Sequence, residues 1–232
     1  VHRLGEQQQA NLRNGLYGLY ESHGITKDGL KSGNSIIYPP FDDIGEFIDD
    51  TKLMNKLSPY VELEIFSGEE SIDQFFKNKT SVFKFTNLPS DDIKKSTAEF
   101  LLREVYRKLR FKGHSNSLQI AVVVDEAHRI ANLDSMNLLL REARAYGASV
   151  ILGSQFLNDF DEDVSANAST KIVLKVSGEN DSKLAGKILA GTDYRSISNK
   201  LKELKRGEAY IKNDNYSPYK PFKVRANITD ND

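Results

Sequence analysis

Two adjacent carboxylates, Asp125 and Glu126, follow directly on the apolar run Ile-Ala-Val-Val-Val at residues 120–124. A β-branched run that is apolar on both faces reads as a buried parallel strand. In open α/β sheets, ligands bind at the carboxyl ends of such strands. Two acids at that place are costly unless a cation or a proton transfer uses them. One of the two, Asp125 or Glu126, could hold a divalent cation and the other could take a proton from a bound water. The bland alternative is an ordinary strand-to-loop junction that ends in Asp-Glu. His128, two residues on, reads as a loop hydrogen-bonder rather than a metal ligand, because no cysteine or second histidine lies near it.

A second group of candidates follows. Leu138–Gln155 reads Leu-Leu-Leu-Arg-Glu-Ala-Arg-Ala-Tyr-Gly-Ala-Ser-Val-Ile-Leu-Gly-Ser-Gln. A helix bearing Arg141 and Arg144 leads through Gly147 into an apolar strand that ends in Ser154-Gln155. In a parallel sheet this strand belongs beside the Asp-Glu strand, with both carboxyl ends on one rim. Gln155 then offers a donor and an acceptor to a γ-phosphate or its attacking water. Arg144, one turn from the loop, can project from its own subunit and complete a neighbour's nucleotide site; Arg141 is the alternative. The structural alternatives are surface pairing of either arginine with acids such as Glu142, and a loop-capping role for Gln155.

The elements that must position these groups can be read from periodicity. Leu12, Leu16, Leu19 and Tyr20 fall at helical spacing. Residues 23–40 read as loop, and 41–57 as a helix with Phe41, Ile44, Phe47 and Ile48 on one side. Residues 61–66 and 81–86 read as strands. Residues 93–111 read as an amphipathic helix with Phe100, Leu101, Val105 and Leu109 as its buried stripe and a basic outer face. Asp134 or Ser135 is expected to cap a helix running through Tyr146, with Gly147 as its C-terminal stop. Strands follow at 148–154 and 171–176, with a polar connector at 165–169 between them. A helix at 181–189 and closing strands at 207–211 and 222–226 complete the chain. The strand–helix alternation argues for an α/β fold with a parallel sheet.

Composition narrows the classes. The 232 residues carry a net charge of −1, so no global basic field recruits nucleic acid. Without cysteine there is neither a disulfide framework nor a Cys-based zinc site, which suits a reducing, cytoplasmic setting. No apolar run reaches membrane-spanning length and no signal peptide opens the sequence, so no membrane partner is expected. The first residue is Val1 rather than Met, which suggests a piece of a longer protein.

Val-Val-Val-Asp-Glu-Ala-His has the form of the Walker B motif of P-loop NTPases. Together with Glu-Ala-Arg-Ala-Tyr-Gly-Ala-Ser-Val-Ile-Leu-Gly-Ser-Gln downstream, it resembles the HerA/FtsK superfamily of ring-forming DNA-pumping ATPases, and its HerA-like branch most closely. Residues 82–109, 180–189 and 206–210 (Arg-Gly-Glu-Ala-Tyr) extend the resemblance over roughly residues 80–212. The resemblance implies an α/β RecA-like P-loop NTPase core, a mostly parallel sheet flanked by helices. An N-terminal helical insertion would occupy residues 1–60, and residues 61–232 would form the C-terminal part of the core. It further implies ATP and Mg as cofactors, with Asp125 as the magnesium acid, Glu126 as the base, Gln155 as the sensor and Arg144 as a trans-acting finger. The implied partners are further copies of the chain in a homo-oligomer, a hexameric ring, double-stranded DNA, and a nuclease or defence effector.

One departure matters. No Gly-x-x-x-x-Gly-Lys-Ser/Thr occurs in the sequence, although that loop supplies the phosphate cradle. The expectation is therefore the C-terminal part of a longer ATPase that by itself neither binds ATP tightly nor hydrolyses it. The competing reading is a degenerate, non-enzymatic assembly scaffold. A conjugation or secretion ATPase of the same superfamily carries the same motifs. A two-lobed DEAH helicase fits the tetrapeptide alone, since Gly-Ser-Gln stands where Ser-Ala-Thr would be expected.

Overall fold

The computed structural model describes residues 4–26, 29–30, 38–63, 77, 80–160 and 162–226. The chain divides into two compact units, Val1–Glu104 and Val105–Asp232.

The first unit is helical at its N-terminus. Helix α1 (Glu6–Ser22) leads into a two-residue antiparallel pair, β1 (Ile25–Thr26) with β2 (Gly29–Leu30), inside the stretch expected to be loop. The helix expected over 41–57 is instead two elements. A 3₁₀ segment spans Phe41–Phe47, and α2 runs from Thr51 to Glu62. Asp50 separates them because it works better as a cap. Its carboxylate accepts the N–H of Leu53 at 3.0 Å and the side-chain amide of Asn11 at 3.1 Å. The Leu53 bond, chiefly, holds the Asp50 carboxyl below its usual range. Leu19, Ile44, Ile48, Leu53 and Leu57 form the core of this unit. α1 passes close to the 3₁₀ segment at Gly15, where an added Cβ would lie 2.6 Å from Ile48 Cγ1.

Two strand expectations fail in this unit. α2 continues past Pro59 and takes in Val61 and Glu62, while residues 64–66 lie outside the described residues. Residues 81–85 form no strand among the described residues, and Val82 and Phe83 are exposed.

Helix α3 (Asp91–Lys112) begins in the first unit and ends in the second. Its buried stripe is Ile93, Ala98, Leu102, Tyr106 and Leu109, a face rotated from the expected one; Phe100 is 45% exposed. Near its end the Tyr106 hydroxyl donates to the Glu142 carboxylate. That bond is the main reason the Tyr106 pKa lies above its ordinary value of 10.0. The folded chain therefore keeps a proton that the unfolded chain begins to lose near 10. The contact contributes fully below that pH and is lost as pH rises through the folded value. Tyr106→Phe should flatten the alkaline limb of a stability-versus-pH curve; an unchanged limb would remove Tyr106 from its cause.

The second unit holds the expected parallel pair. β3 (Ile120–Val124) lies beside β4 (Ala148–Leu152), with α4 (Asp134–Glu142) and a 3₁₀ turn (Ala143–Tyr146) between them. Neither Asp134 nor Ser135 caps α4. Leu133 occupies the cap position with no side-chain bond, and Ser135 is buried inside the first turn. Met136, Leu139 and Ala143 face inward. The strands are not covered on both faces: Val123 and Ile151, direct neighbours across the pair, are 68% and 53% exposed.

Gly147 stops the helical segment in the left-handed conformation, φ +73°, which non-glycine residues adopt at a cost. Its carbonyl accepts the Gln119 N–H at 2.6 Å, and an added Cβ would lie 2.2 Å from the Ser117 carbonyl oxygen. Gly147→Ala therefore combines backbone strain with a clash against main chain. A loss of about 2–3 kcal/mol is expected, read as a lower urea midpoint; a wild-type midpoint would contradict this packing.

The chain closes with α5 (Glu162–Asn167), where a polar connector was expected, and then β5 (Thr170–Val173), α6 (Glu179–Ala190) and α7 (Tyr194–Lys202). β6 (Glu208–Asn213) and β7 (Ser217–Arg225) follow, and β5–β6–β7 form an antiparallel meander. Val173, Ala185, Leu189, Ile197, Leu201 and Leu204 build the core here. The sequence reading had no element over residues 194–202. α6 and α7 pack closely because residue 186 is glycine: a Cβ there would stand 2.6 Å from the Tyr194 carbonyl oxygen.

Candidate functional site

The site lies where β3 and β4 end. Their register is even, Ile120 opposite Ala148 and Val124 opposite Leu152, so both strands finish level. Two main-chain bonds tie the ends together. The Gly153 N–H donates to the Val124 carbonyl at 2.9 Å, and the Ala127 N–H donates to the Gly153 carbonyl at 2.8 Å. A fully buried Ala127 then anchors a single 3₁₀ turn, Ala127–Arg129.

This tight exit sets the direction of both acids. Asp125 Oδ1 accepts the N–H of Glu126 at 3.0 Å. Glu126 itself sits at φ 50°, ψ 44°, the one non-glycine residue with positive φ among the described residues. An L-residue there costs roughly 1–2 kcal/mol. Such strain persists only where surrounding contacts over-determine it, and it gathers at functional sites.

The Ala127–Gly153 bond follows directly on Glu126, and its carboxylate has a side-chain neighbour at each oxygen. The Gln155 amide, Nε2, donates to Glu126 Oε1 at 2.7 Å. His128 Nδ1 lies 3.3 Å from Glu126 Oε2. Gln155 is 29 residues away in sequence, so the parallel pairing alone delivers it. The Ser154 hydroxyl donates to the Asp159 carboxylate and steadies the loop that carries Gln155.

Asp125, Glu126 and Gln155 are thus on one rim, as expected from the sequence. The two arginines are not. Arg141 lies in the last turn of α4 and Arg144 in the following 3₁₀ turn, both exposed and both before β4 begins. They stand at the base of the strand, separated from the rim by its five residues, about 16 Å at ~3.3 Å per residue. Neither stands beside Asp125 or Glu126. His128, read from the sequence as a loop hydrogen-bonder, stands on the turn that follows Glu126 with Nδ1 toward its carboxylate.

The donor set is too sparse to hold a metal without a substrate's help. Among the described residues no cluster of three or more His, Asp or Glu side chains could cage an ion unaided. Mg²⁺ in nucleotide sites is held by one or two carboxylates, with substrate phosphates and waters completing its octahedron. Asp125, with one oxygen committed to its own turn, fits that sparse role.

Comparison with known proteins places the chain in a family. The profile of the type IV secretion-system coupling protein DNA-binding domain matches residues 51–213. The DNA double-strand break repair helicase HerA of Sulfurisphaera tokodaii is 27% identical over 222 residues, covering 80% of this chain and 43% of that protein. HerA of Saccharolobus solfataricus is 26% identical over 172 residues, covering 69% and 33%. The chain therefore spans less than half the length of these curated relatives. Among solved structures, the plasmid coupling protein TrwB in complex with the GTP analogue GDPNP superposes with a TM-score of 0.61 at 12% identity, over 94% of this chain and 62% of that one. VirB4 of Thermoanaerobacter pseudethanolicus gives 0.59 at 18% identity, over 98% and 66%. At these identities the two structures establish the shared α/β, RecA-like fold.

Proposed function

The chain belongs to the family of type IV secretion-system coupling protein DNA-binding domains, among the HerA/FtsK-type ATPases, and from that premise we propose that it is the catalytic-rim portion of an ATP-driven motor acting on double-stranded DNA. The observation that carries this reading is the Gln155–Glu126 bond of 2.7 Å across parallel strand ends. It supports a base and a phosphate sensor that read one nucleotide together. Glu126 accepts a proton from the attacking water, and Gln155 meets the γ-phosphate or that water. Asp125 would hold Mg²⁺, which supplies charge neutralisation on the phosphates. No Gly-x-x-x-x-Gly-Lys-Ser/Thr motif is among these 232 residues; in this reading the phosphate cradle comes from residues outside them.

Arg144 and Arg141 stand away from the rim of their own chain, which favours action on a neighbour. This supports a homo-oligomeric ring, a hexamer by analogy with the superfamily, with Arg144 the finger and residues 61–232 the C-terminal part of each RecA-like core. The relatives named DNA double-strand break repair helicase HerA favour a translocase or helicase; a nuclease or defence effector working beside it is proposed from the sequence resemblance alone. The coupling-protein family and the TrwB likeness favour the second reading, a conjugation or secretion ATPase. No helix among the described residues is long and apolar enough to cross a membrane.

The test is an ATPase assay of the complete protein with and without linear duplex DNA. Mg-dependent hydrolysis stimulated by the duplex is expected. Absence of hydrolysis under both conditions would favour the non-enzymatic scaffold.

A further inference from the structure

Glu126 needs more than a partner at one oxygen. A carboxylate that accepts a water proton must present a chosen lone pair to that water. Free rotation about the last side-chain bond would scatter it. Gln155 bonds Oε1, but on the proposed reading that amide must also serve the γ-phosphate, so it cannot be the sole restraint. The second oxygen, Oε2, faces His128 Nδ1 at 3.3 Å.

His128 is well placed to be the lasting restraint. It belongs to the same 3₁₀ turn as Ala127, whose N–H is tied to the Gly153 carbonyl and whose side chain is fully buried. The Ile130 and Ala131 N–H groups both return to the Ala127 carbonyl, at 3.0 and 2.7 Å, so the turn is closed on itself. The imidazole is therefore carried by a closed turn on the β3 side of the rim, whereas Gln155 comes from the β4 side. For Nδ1 to face a carboxylate oxygen favourably it must carry a proton. We infer that His128 is a positioning residue whose Nδ1–H fixes the rotation of the Glu126 carboxylate and keeps it aimed when Gln155 turns to the phosphate. The inference rests on Glu126 being the base.

Two measurements test it, and the first needs no nucleotide. The chain has four histidines, so long-range ¹⁵N spectra of histidine-labelled protein resolve each ring. His128, identified by its loss in His128→Asn, should show the Nδ1–H tautomer. In Glu126→Ala it should shift to the Nε2–H form usual for solvated imidazole. An Nε2–H ring in the wild type, unchanged by Glu126→Ala, would overturn the inference.

The second measurement is made in the complete protein. His128→Ala should lower kcat ~10–100-fold, the usual cost of losing an orienting partner, with the Kd for ATP unchanged. His128→Asn, whose amide nitrogen stands near the place of Nδ1, should restore most of the rate. Wild-type kcat in His128→Ala beside an inactive Glu126→Gln would overturn the positioning role alone. So would equal losses in the Ala and Asn variants. Wild-type turnover in Glu126→Gln would remove the base assignment and the inference with it.

Discussion

Glu126→Gln in the complete protein leaves ATP bound and turnover reduced by roughly 10²–10⁴-fold, the range that general-base catalysis supplies. The substitution is close to isosteric. Its amide oxygen can still accept the Gln155 N–H, so the 2.7 Å link and the strand ends it joins persist. The backbone at φ 50° is strained equally for either residue. What disappears is the capacity to take a proton from water at neutral pH. Affinity and rate should therefore separate, with an unchanged Kd for ATP and a collapsed kcat. Loss of both together would point to a damaged rim, and wild-type turnover would take Glu126 out of the base role.

Arg144→Ala should cost more, about 10³–10⁵-fold in kcat, the contribution of an arginine finger. The position of Arg144 makes this a test between subunits. It lies at the base of β4, away from the rim of its own chain, so its removal leaves Asp125, Glu126 and Gln155 in place. Rings of pure Arg144→Ala would be inactive, as would rings of pure Glu126→Gln. Mixed rings should recover activity, because some interfaces then join an intact Glu126 to an intact Arg144. Lysine at 144 should not substitute, since it lacks the planar fork that grips two phosphate oxygens. Full activity in pure Arg144→Ala rings would refute the assignment; a collapse in Arg141→Ala would then transfer the role.

The rim was legible in the sequence because it depends on local signals. An apolar run ending in Asp-Glu, and a second ending in Ser-Gln after a helix and Gly147, each announce a strand end. Parallel pairing follows from the helix between them, and it brings Gln155 to Glu126. The left-handed backbone at Glu126 was not legible, because nothing in its side chain favours that conformation. It is imposed by the Ala127–Gly153 bond. His128 could be read only as a loop hydrogen-bonder until the turn showed which atom it faces.

Elsewhere the misses share a cause. Residues 61–66 and 81–86 alternate like strands, but helix α2 claims Val61 and Glu62, and 81–86 form no strand among the described residues. The buried stripe of α3 was misjudged by a fraction of a turn, since Phe100 looked like a core residue and Ala98 and Tyr106 did not. α7 was missed because its lysines and serines hide a short apolar face, Ile197 and Leu201, that only α6 and β5 make into a core. Conversely, Val123 and Ile151 read as residues of strands buried on both faces, and in the structure they are exposed.

The most direct measurement is a structure of the complete protein with Mg²⁺ and a non-hydrolysable ATP analogue. The account predicts the metal within one water of Asp125, Gln155 turned from Glu126 Oε1 toward the γ-phosphate, and Glu126 aimed at the in-line water. A nucleotide bound away from the ends of β3 and β4, or a metal with no path to Asp125, would contradict it.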